Sequence, residues 1–337
     1  MTTYVESRHS SPPLPQARGE LSGSVIRALR SAAAPQSVPR HVIDDADPYG
    51  DDLQLALYVL YELHYQGFAA VSDDREWDPE LLGLRGDLER RFLDALRADV
   101  PASTGALDAL NGLLIEPAGH DPASVSHHLQ REGELWQLRE YATLRSLYHL
   151  KEADPHAWVI PRLHGRAKAG MVAVEFDEFG AGRPEEIHAR LFADLMADLG
   201  LDISYGHYLD AAPACALATV NLMSLFGLHR ALRGALVGHF ATVEVTSPPG
   251  SKRMAAAMRR LGAGPAAARF YDEHVEADAV HEQVVRHEVV GGLLASEPDL
   301  DPDVAFGVAA TGLLEDRLGA HLLESWRTGA SALRPAP

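Results

Sequence analysis

Apolar side chains recur along most of this chain at intervals of three and four. Leu53, Leu57, Leu60 and Tyr61 form one such stripe, and Leu81, Leu84, Leu88, Phe92 and Leu96 form another. That spacing is the period of an amphipathic helix with one buried face. Pro79 follows Asp78, where a helix start tolerates proline. A third helical run is expected over 122–153, ending at Asp154-Pro155. The next reaches about residue 179 with a bend at Pro161, and Gly180-Ala181-Gly182 stops it. Pro184 then opens a short helix ending near Gly200. Further helices are expected over 212–228 and 230–246, followed by a break at Ser247-Pro248-Pro249-Gly250, and two long ones over 266–294 and 302–328. Few stretches alternate with period two, and no Asn-Gly or Asp-Gly hairpin signal appears. The pattern predicts an all-α fold with one main domain over 48–330. Residues 1–47, rich in Pro, Ser, Ala and Arg, are expected to be a mobile arm with at most one docked helix near Leu21 to Leu29. Residues 331–337 are expected to be a disordered tail.

Composition narrows the function classes. The chain has 337 residues, 46% of them hydrophobic, enough for a sizeable core. Thirty basic against 48 acidic residues give a net charge of −18, which would repel a phosphate backbone, so no nucleic-acid partner is expected. No window is apolar for long enough to span a membrane, and the N-terminal stretch lacks the apolar core of a secretory signal. With Cys215 the single cysteine, no internal disulfide is possible, which fits a reducing cytoplasm. The three lysines, Lys151, Lys168 and Lys252, follow no phosphate-loop pattern. Gly180-x-Gly182 lacks the strand and third glycine of a dinucleotide fingerprint.

Chemistry concentrates in Phe270-Tyr-Asp-Glu-His274-Val-Glu-Ala-Asp278-Ala-Val-His281. At 100° per residue, His274, Asp278 and His281 fall within an arc of about 60° on one helix face. Three ligand-type side chains stacked over two turns can serve metal ions, although a solvated face rich in Glu and His reads the same way. Glu244 ends an almost uncharged run from Gly234, where a buried carboxylate needs a counter-charge. His188 shares its face with Leu191, Phe192 and Leu195, Glu152 precedes Ala153-Asp154-Pro155, and Glu178 is one of three clustered acids. Taken singly these are a helix-end acid, a satisfied core histidine, a capping residue and a solvated acid. Taken together, Glu152, Glu178, Glu244 and Asp278 carry four negative charges beside three neutral histidines, which balances two divalent ions. Mixed imidazole and carboxylate donors suit iron or manganese, and the lack of clustered thiols argues against structural zinc. The paired Glu-x-x-His signature of ferritin-like carboxylate proteins is met only loosely, by Glu185-x-x-His188 and Asp278-x-x-His281.

His-x3-Asp-x2-His on a late helix, with a glutamate 30 residues upstream, resembles the heme-oxygenase-like diiron oxidases and oxygenases, often called iron-containing redox enzymes. The resemblance covers roughly residues 50–330, including the runs Leu150 to His156 and Asn221 to His229. The steps Glu152 to Glu178 to His188 to Glu244 to His274, of 26, 10, 56 and 30 residues, are most similar to the branch that forms an N-nitrosourea. The resemblance implies a heme-oxygenase-type helical bundle without heme. Its metal ligands would be Glu152, His188, Glu244, His274, Asp278 and His281, with Glu178 as a seventh. In an alkene-forming branch an extra carboxylate stands three residues before the histidine, which makes Glu185 the rival of Glu178.

The resemblance further implies two iron ions, O2 as co-substrate, reduced to a bound peroxide, and an external reductase or ferredoxin-type electron donor. A small-molecule substrate and a homodimer are also expected. N-oxygenation of a small amine or guanidine is the leading expectation. A desaturase or C–C lyase acting on an amino acid or fatty acid is the second, and a non-catalytic metal- or ligand-binding helical protein the third. Leu222, Met223, Leu225 and Phe226 would line the substrate pocket or pack in the core. His239, Tyr271 and Arg286 are candidate partners for the ligands.

Overall fold

The computed structural model describes residues 11–31, 38–100, 105–115 and 119–335, with the side chains of 276–279 left aside. Among the described residues the fold is all-α, without a strand. The helices run α1 (Glu20–Ser31), α2 (Arg40–Asp44), α3 (Asp51–Glu62), α4 (Pro79–Asp99), α5 (Ala106–Leu113), α6 (Val125–Arg131), α7 (Leu135–His149), α8 (Asp154–Ala157), α9 (Gly165–Glu178), α10 (His188–Asp198), α11 (Ala214–Leu228), α12 (Arg233–Arg260), α13 (Pro265–Val284), α14 (Gly291–Ser296) and α15 (Asp301–Arg327). A π-helical segment, Val285–Val290, joins α13 to α14.

The long helix α12 forms the axis, flanked by α13 and α15. Its contact with α15 is backbone to backbone: a methyl group at Gly238 would collide with the Val304 carbonyl, and one at Gly307 with the Ala235 carbonyl. Helix α3 lies deeper than its stripe predicts, for every residue from Leu53 to Glu62 is buried. Its polar members are therefore paired inside. Asn221 on α11 donates from Nδ2 to Gln54 Oε1 at 2.8 Å, and Lys151 Nζ reaches Glu62 Oε2 at 2.6 Å. Leu222, Met223, Leu225 and Phe226 are core residues of α11, which packs against α3.

Several expected boundaries shift. The run 122–153 is two helices, because the chain turns at Gly133 and α7 restarts on a Glu134/Gln137 capping box. The stretch around Pro161 is a break rather than a bend, made by a 3-10 turn, Ile160–Arg162, and Gly165 at φ +52°. The break expected at Ser247-Pro-Pro-Gly250 is absent, and α12 continues through Pro248 and Pro249. A proline costs a helix one amide hydrogen bond and a ring clash, about 3 kcal/mol each. Here α13 and α15 clamp the preceding turns, and Thr246 Oγ1 bonds back to the Thr242 carbonyl at 2.8 Å.

The ends of the chain are also more ordered than expected where they are described. Helix α1 buries Leu21, Val25, Ile26 and Leu29, each contributing about 1.5–3 kcal/mol of transfer energy. Asp52 caps it from α3 by accepting from Leu21 N and Ser22 N at 2.9 and 2.8 Å. Residues 331–335 of the expected tail lie on the body: Ala332 N donates to Glu140 Oε2 at 2.9 Å and Arg334 N to the Ala211 carbonyl at 2.8 Å. Residues 1–10 and 32–37 of the arm, and 336–337 of the tail, lie outside the described residues. No single helix among the described residues is long and apolar enough to cross a membrane.

Candidate metal centre

Five stretches of chain converge on one buried place. Glu152 lies in the turn after α7, Glu178 closes α9, and His188 opens α10. Glu244 sits midway along α12, and His274 and His281 share a face of α13. Positive φ angles at Gly180 (+77°) and Gly182 (+81°) reverse the chain between α9 and α10. A Cβ at Gly180 would stand 2.7 Å from Ile187 N, so the reversal has no room for a larger residue. That reversal brings His188 Nδ1 within 2.6 Å of Glu178 Oε2 although ten residues separate them.

The six side chains form two triplets. Glu152, His188 and His274 are one, and Glu178, Glu244 and His281 the other; within each, one ligand atom per residue lies within 4.8 Å of the others. All six are buried. Glu178 links them, since Oε2 meets His188 of the first triplet while Oε1 stands 3.7 Å from His281 Nδ1 of the second. His281 Nδ1 is also 3.3 Å from Glu244 Oε2. The His188 and His274 rings lie 4.5 Å apart. The side chain of Asp278 lies outside the described residues. Glu185, the rival of Glu178, is exposed in the 3-10 turn Pro184–Glu186 and belongs to neither triplet.

Neighbouring groups orient the histidines. His274 Nδ1 stands 2.7 Å from the Phe270 carbonyl and so carries the proton, which leaves Nε2 as the lone-pair nitrogen. His281 turns its other nitrogen, Nε2, to Asp177 Oδ2 at 3.2 Å. Glu152 Oε1 meets His149 Nδ1 at 2.8 Å. Burial would raise the Glu152 carboxyl, but His149, then His274 and His188, outweigh it and hold it at about 2. Three carboxylates and three imidazoles gathered at these distances are the donor set of a borderline-hard divalent ion such as Fe(II).

Asp177, His149 and Glu175 were not singled out from the sequence. The first two carry a spacing signal, one residue before Glu178 and one turn before Glu152. Glu175 has none: it is 2% exposed, neither of its oxygens has a hydrogen-bond partner among the described residues, and burial, then Glu178 and Glu244, push its carboxyl up to about 9. Of the expected helper residues, His239 pairs with Thr311 Oγ1 at 2.9 Å through Nδ1, and Tyr271 is buried in a cavity wall. Arg286 is directed elsewhere, to Glu282 and Asn111.

That cavity, of about 510 Å³, has Glu152, Glu178, Glu244 and His274 at its inner end. Its outer lining includes Asp121, Arg253 and the exposed Asp316. The triplets are thus reachable by a small molecule while most of their surface stays covered by protein.

A family model described as iron-containing redox enzyme matches residues 139–316, a stretch that holds all seven candidate ligands. No curated protein matches the chain.

Proposed function

The chain belongs to the heme-oxygenase-like family of iron-containing redox enzymes, and from that premise we propose that it is a non-heme diiron, O2-dependent oxygenase. The observation that carries the proposal is the pair of buried triplets linked by the two oxygens of Glu178. Glu152, His188 and His274 would hold one iron, and Glu178, Glu244 and His281 the other. Asp278 stands on the helix face of His274 and His281 and completes the set by spacing. Four carboxylates then neutralise two divalent ions, so the filled site adds no net charge to the interior. When bound, the ion pair supplies electrons to O2 and delivers oxygen to a substrate.

The chain's own residues set the conditions for that chemistry. Phe270 fixes the His274 tautomer through its carbonyl, and Asp177 orients His281. Phe192 and Phe270 pack at 5.0 Å against each other and against the His149 ring, which fixes the imidazole that faces Glu152. The cavity directs a substrate to the Glu152, Glu244 and His274 side of the centre.

N-oxygenation of a small amine or guanidine is the reading we favour. A desaturase or C–C lyase draws its support from a carboxylate at Glu185, which is exposed, whereas Glu178 is at the centre. An external reductase or ferredoxin-type donor would supply electrons, and a homodimer is the proposed assembly. Anaerobic loading of the metal-free protein with Fe(II), followed by mixing with O2 under optical detection, tests the proposal. Two irons per chain and a transient band without substrate are expected. Two irons with no reaction until a substrate is added would move the assignment to the desaturase or lyase reading. Fewer than one iron per chain and no O2 uptake would leave a non-catalytic helical protein.

A further inference from the structure

Helix α9 has two apolar faces. Inward it presents Met171 and Val174 beside Glu175 and Glu178. Outward it presents Ala169, Val172, Ala173 and Phe176, which the helical step gathers within an arc of about 100°. Phe179, just past its end, is exposed as well. On the neighbouring α13, Val280 is exposed and Val284 half-buried, one turn apart. The two helices are tied together at this place by Asp177 and His281. Single exposed apolar residues are ordinary, whereas a stripe of them along a helix marks a surface on which something else packs. Charge brackets the stripe at its two ends. Arg166 and Asp177 are three turns apart, so they stand on the same flank of α9, separated by about 16 Å. Their side chains are 63% and 52% exposed. Arg166 uses Nε and Nη2 on Glu288, at 2.9 and 3.0 Å, and Asp177 uses Oδ2 on His281 at 3.2 Å. Among the described residues, Arg166 Nη1 and Asp177 Oδ1 have no hydrogen-bond partner.

We propose that this face of α9 and α13 is the contact surface of a symmetric dimer, and that its occupant is a second copy of this chain lying antiparallel across it. When two identical helices pack antiparallel about a two-fold axis, like flanks meet. An axis between Met171 and Val172 therefore sets Arg166 of each copy against Asp177 of the other, and both charges are paired twice over. Phe176 of one copy then falls within a turn of Ala169 of the other, a large side chain against a small one. A partner carrying one sign of charge would suit one end of the stripe and oppose the other. An anionic lipid surface would in addition be repelled by the net charge of −18. The surface backs onto the metal centre, because Asp177 and Val280 directly precede Glu178 and His281. The second copy thus covers the outer side of the Glu178, Glu244 and His281 triplet and encloses the bond between Asp177 and His281. This inference gives a location to the homodimer proposed above and does not depend on iron.

Sedimentation velocity of the full chain, as isolated and after anaerobic Fe(II) loading, tests it. The parent is expected to run as a dimer at micromolar concentration. Phe176→Asp should weaken that dimer at least about hundredfold, because an isologous contact carries the change twice. Ile203→Asp, at a similarly exposed apolar site elsewhere, should leave it unchanged, and circular dichroism should show the same helix content in both. The charges give a sharper test. Arg166→Glu alone and Asp177→Arg alone each set like charges together in two places, and each should weaken the dimer by about tenfold or more. Mixed in equal amounts, the two variants should recover a dimer close to the parent's in strength, because only the mixed pair sets opposite charges together at both places. A monomeric parent, a dimer indifferent to Phe176→Asp, or a mixture no stronger than its components would each overturn the surface. Flotation of a monomeric parent with lipid vesicles would assign the face to a membrane instead. Iron counted in the same fractions keeps the two readings apart. Monomers that hold two irons per chain sink the dimer surface alone, and charge-recovered dimers that hold no iron sink the oxygenase reading alone.

Discussion

Glu175 is a carboxyl group that the metal-free fold keeps protonated, and replacing it with glutamine should stabilise the protein. Its ordinary value is 4.5, and burial, with Glu178 and Glu244 nearby, takes it to about 9. The unfolded chain releases this proton at about 4.5 and the folded one does not, so folding at neutral pH takes up a proton. The folded value lies above the unfolded one. The side chain's contribution to stability is therefore intact below pH 4.5 and lost as pH rises toward 9. At about 1.4 kcal/mol per pH unit, the loss at pH 7 is on the order of 3 kcal/mol, and about 6 kcal/mol once pH passes 9. Glu175→Gln keeps the shape and cannot titrate. Its buried amide brings one more unpaired donor, about 1 kcal/mol, so a net gain of about 2 kcal/mol at pH 7 is expected. Urea unfolding of both metal-free proteins from pH 5 to 9 reads the effect: the two stabilities should nearly coincide at pH 5 and separate steadily above it. Loading with a divalent ion should narrow the separation, because nearby positive charge favours ionised Glu175. Parallel pH profiles, or a variant less stable than the parent at pH 8, would refute the reasoning.

Other perturbations bear on the centre and its surroundings. His281→Ala and Asp278→Ala should leave helix content nearly unchanged by circular dichroism while lowering bound iron by at least one ion per chain; variants that still hold two would remove α13 from the ligand set. Glu178→Ala should spare most metal affinity yet change the lifetime of the optical transient after O2 mixing, and an unchanged decay would make Glu178 a bystander. Asp177→Asn should weaken iron binding about tenfold by loosening His281, measured by competition with a chelator. His239 is buried and held down at about 4 against an ordinary 6.5. Its folded value is the lower one, so its contribution is present above pH 6.5 and lost as pH falls toward 4, about 3 kcal/mol in all. His239→Gln should flatten that part of the urea-stability profile, and a slope unchanged by the substitution would place the titration elsewhere.

The helical period made the fold class and much of the centre readable in advance. Six of the seven residues that the resemblance implied come together in the two triplets, and the 100° helical step accounts for the pair on α13. His274 and His281 share a face for that reason alone. What could not be read depends on tertiary neighbours. Nothing local shows that α12 passes through Pro248 and Pro249, since flanking helices hold it there. Pattern alone makes Glu175 a third acid in a polar cluster, and only the packed structure shows that Glu178 lines the cavity and joins a triplet while Glu175 does neither. Helix α3 read as one-sided because its partners α1 and α11 lie far from it in sequence. The placing of Glu178 beside His188, with Glu185 left exposed, depends on the glycine reversal at 180–182, whose course no period predicts.

The bare crossing of α12 and α15 at Gly238 and Gly307 has a bearing on scale. Helix α12 carries Glu244, and α15 carries Glu315 eight residues past Gly307. With no side chain between them, the two backbones meet at their closest possible approach, and the span from Glu315 to the Glu244 end of the cavity is set there, as by the pivot of a pair of dividers. A methyl group added at Gly307 would act as a shim under that pivot, opening the far end of the gap by more than its own thickness. The depth of the cavity between Glu315 and Glu244 would then be governed by a residue that lines neither end.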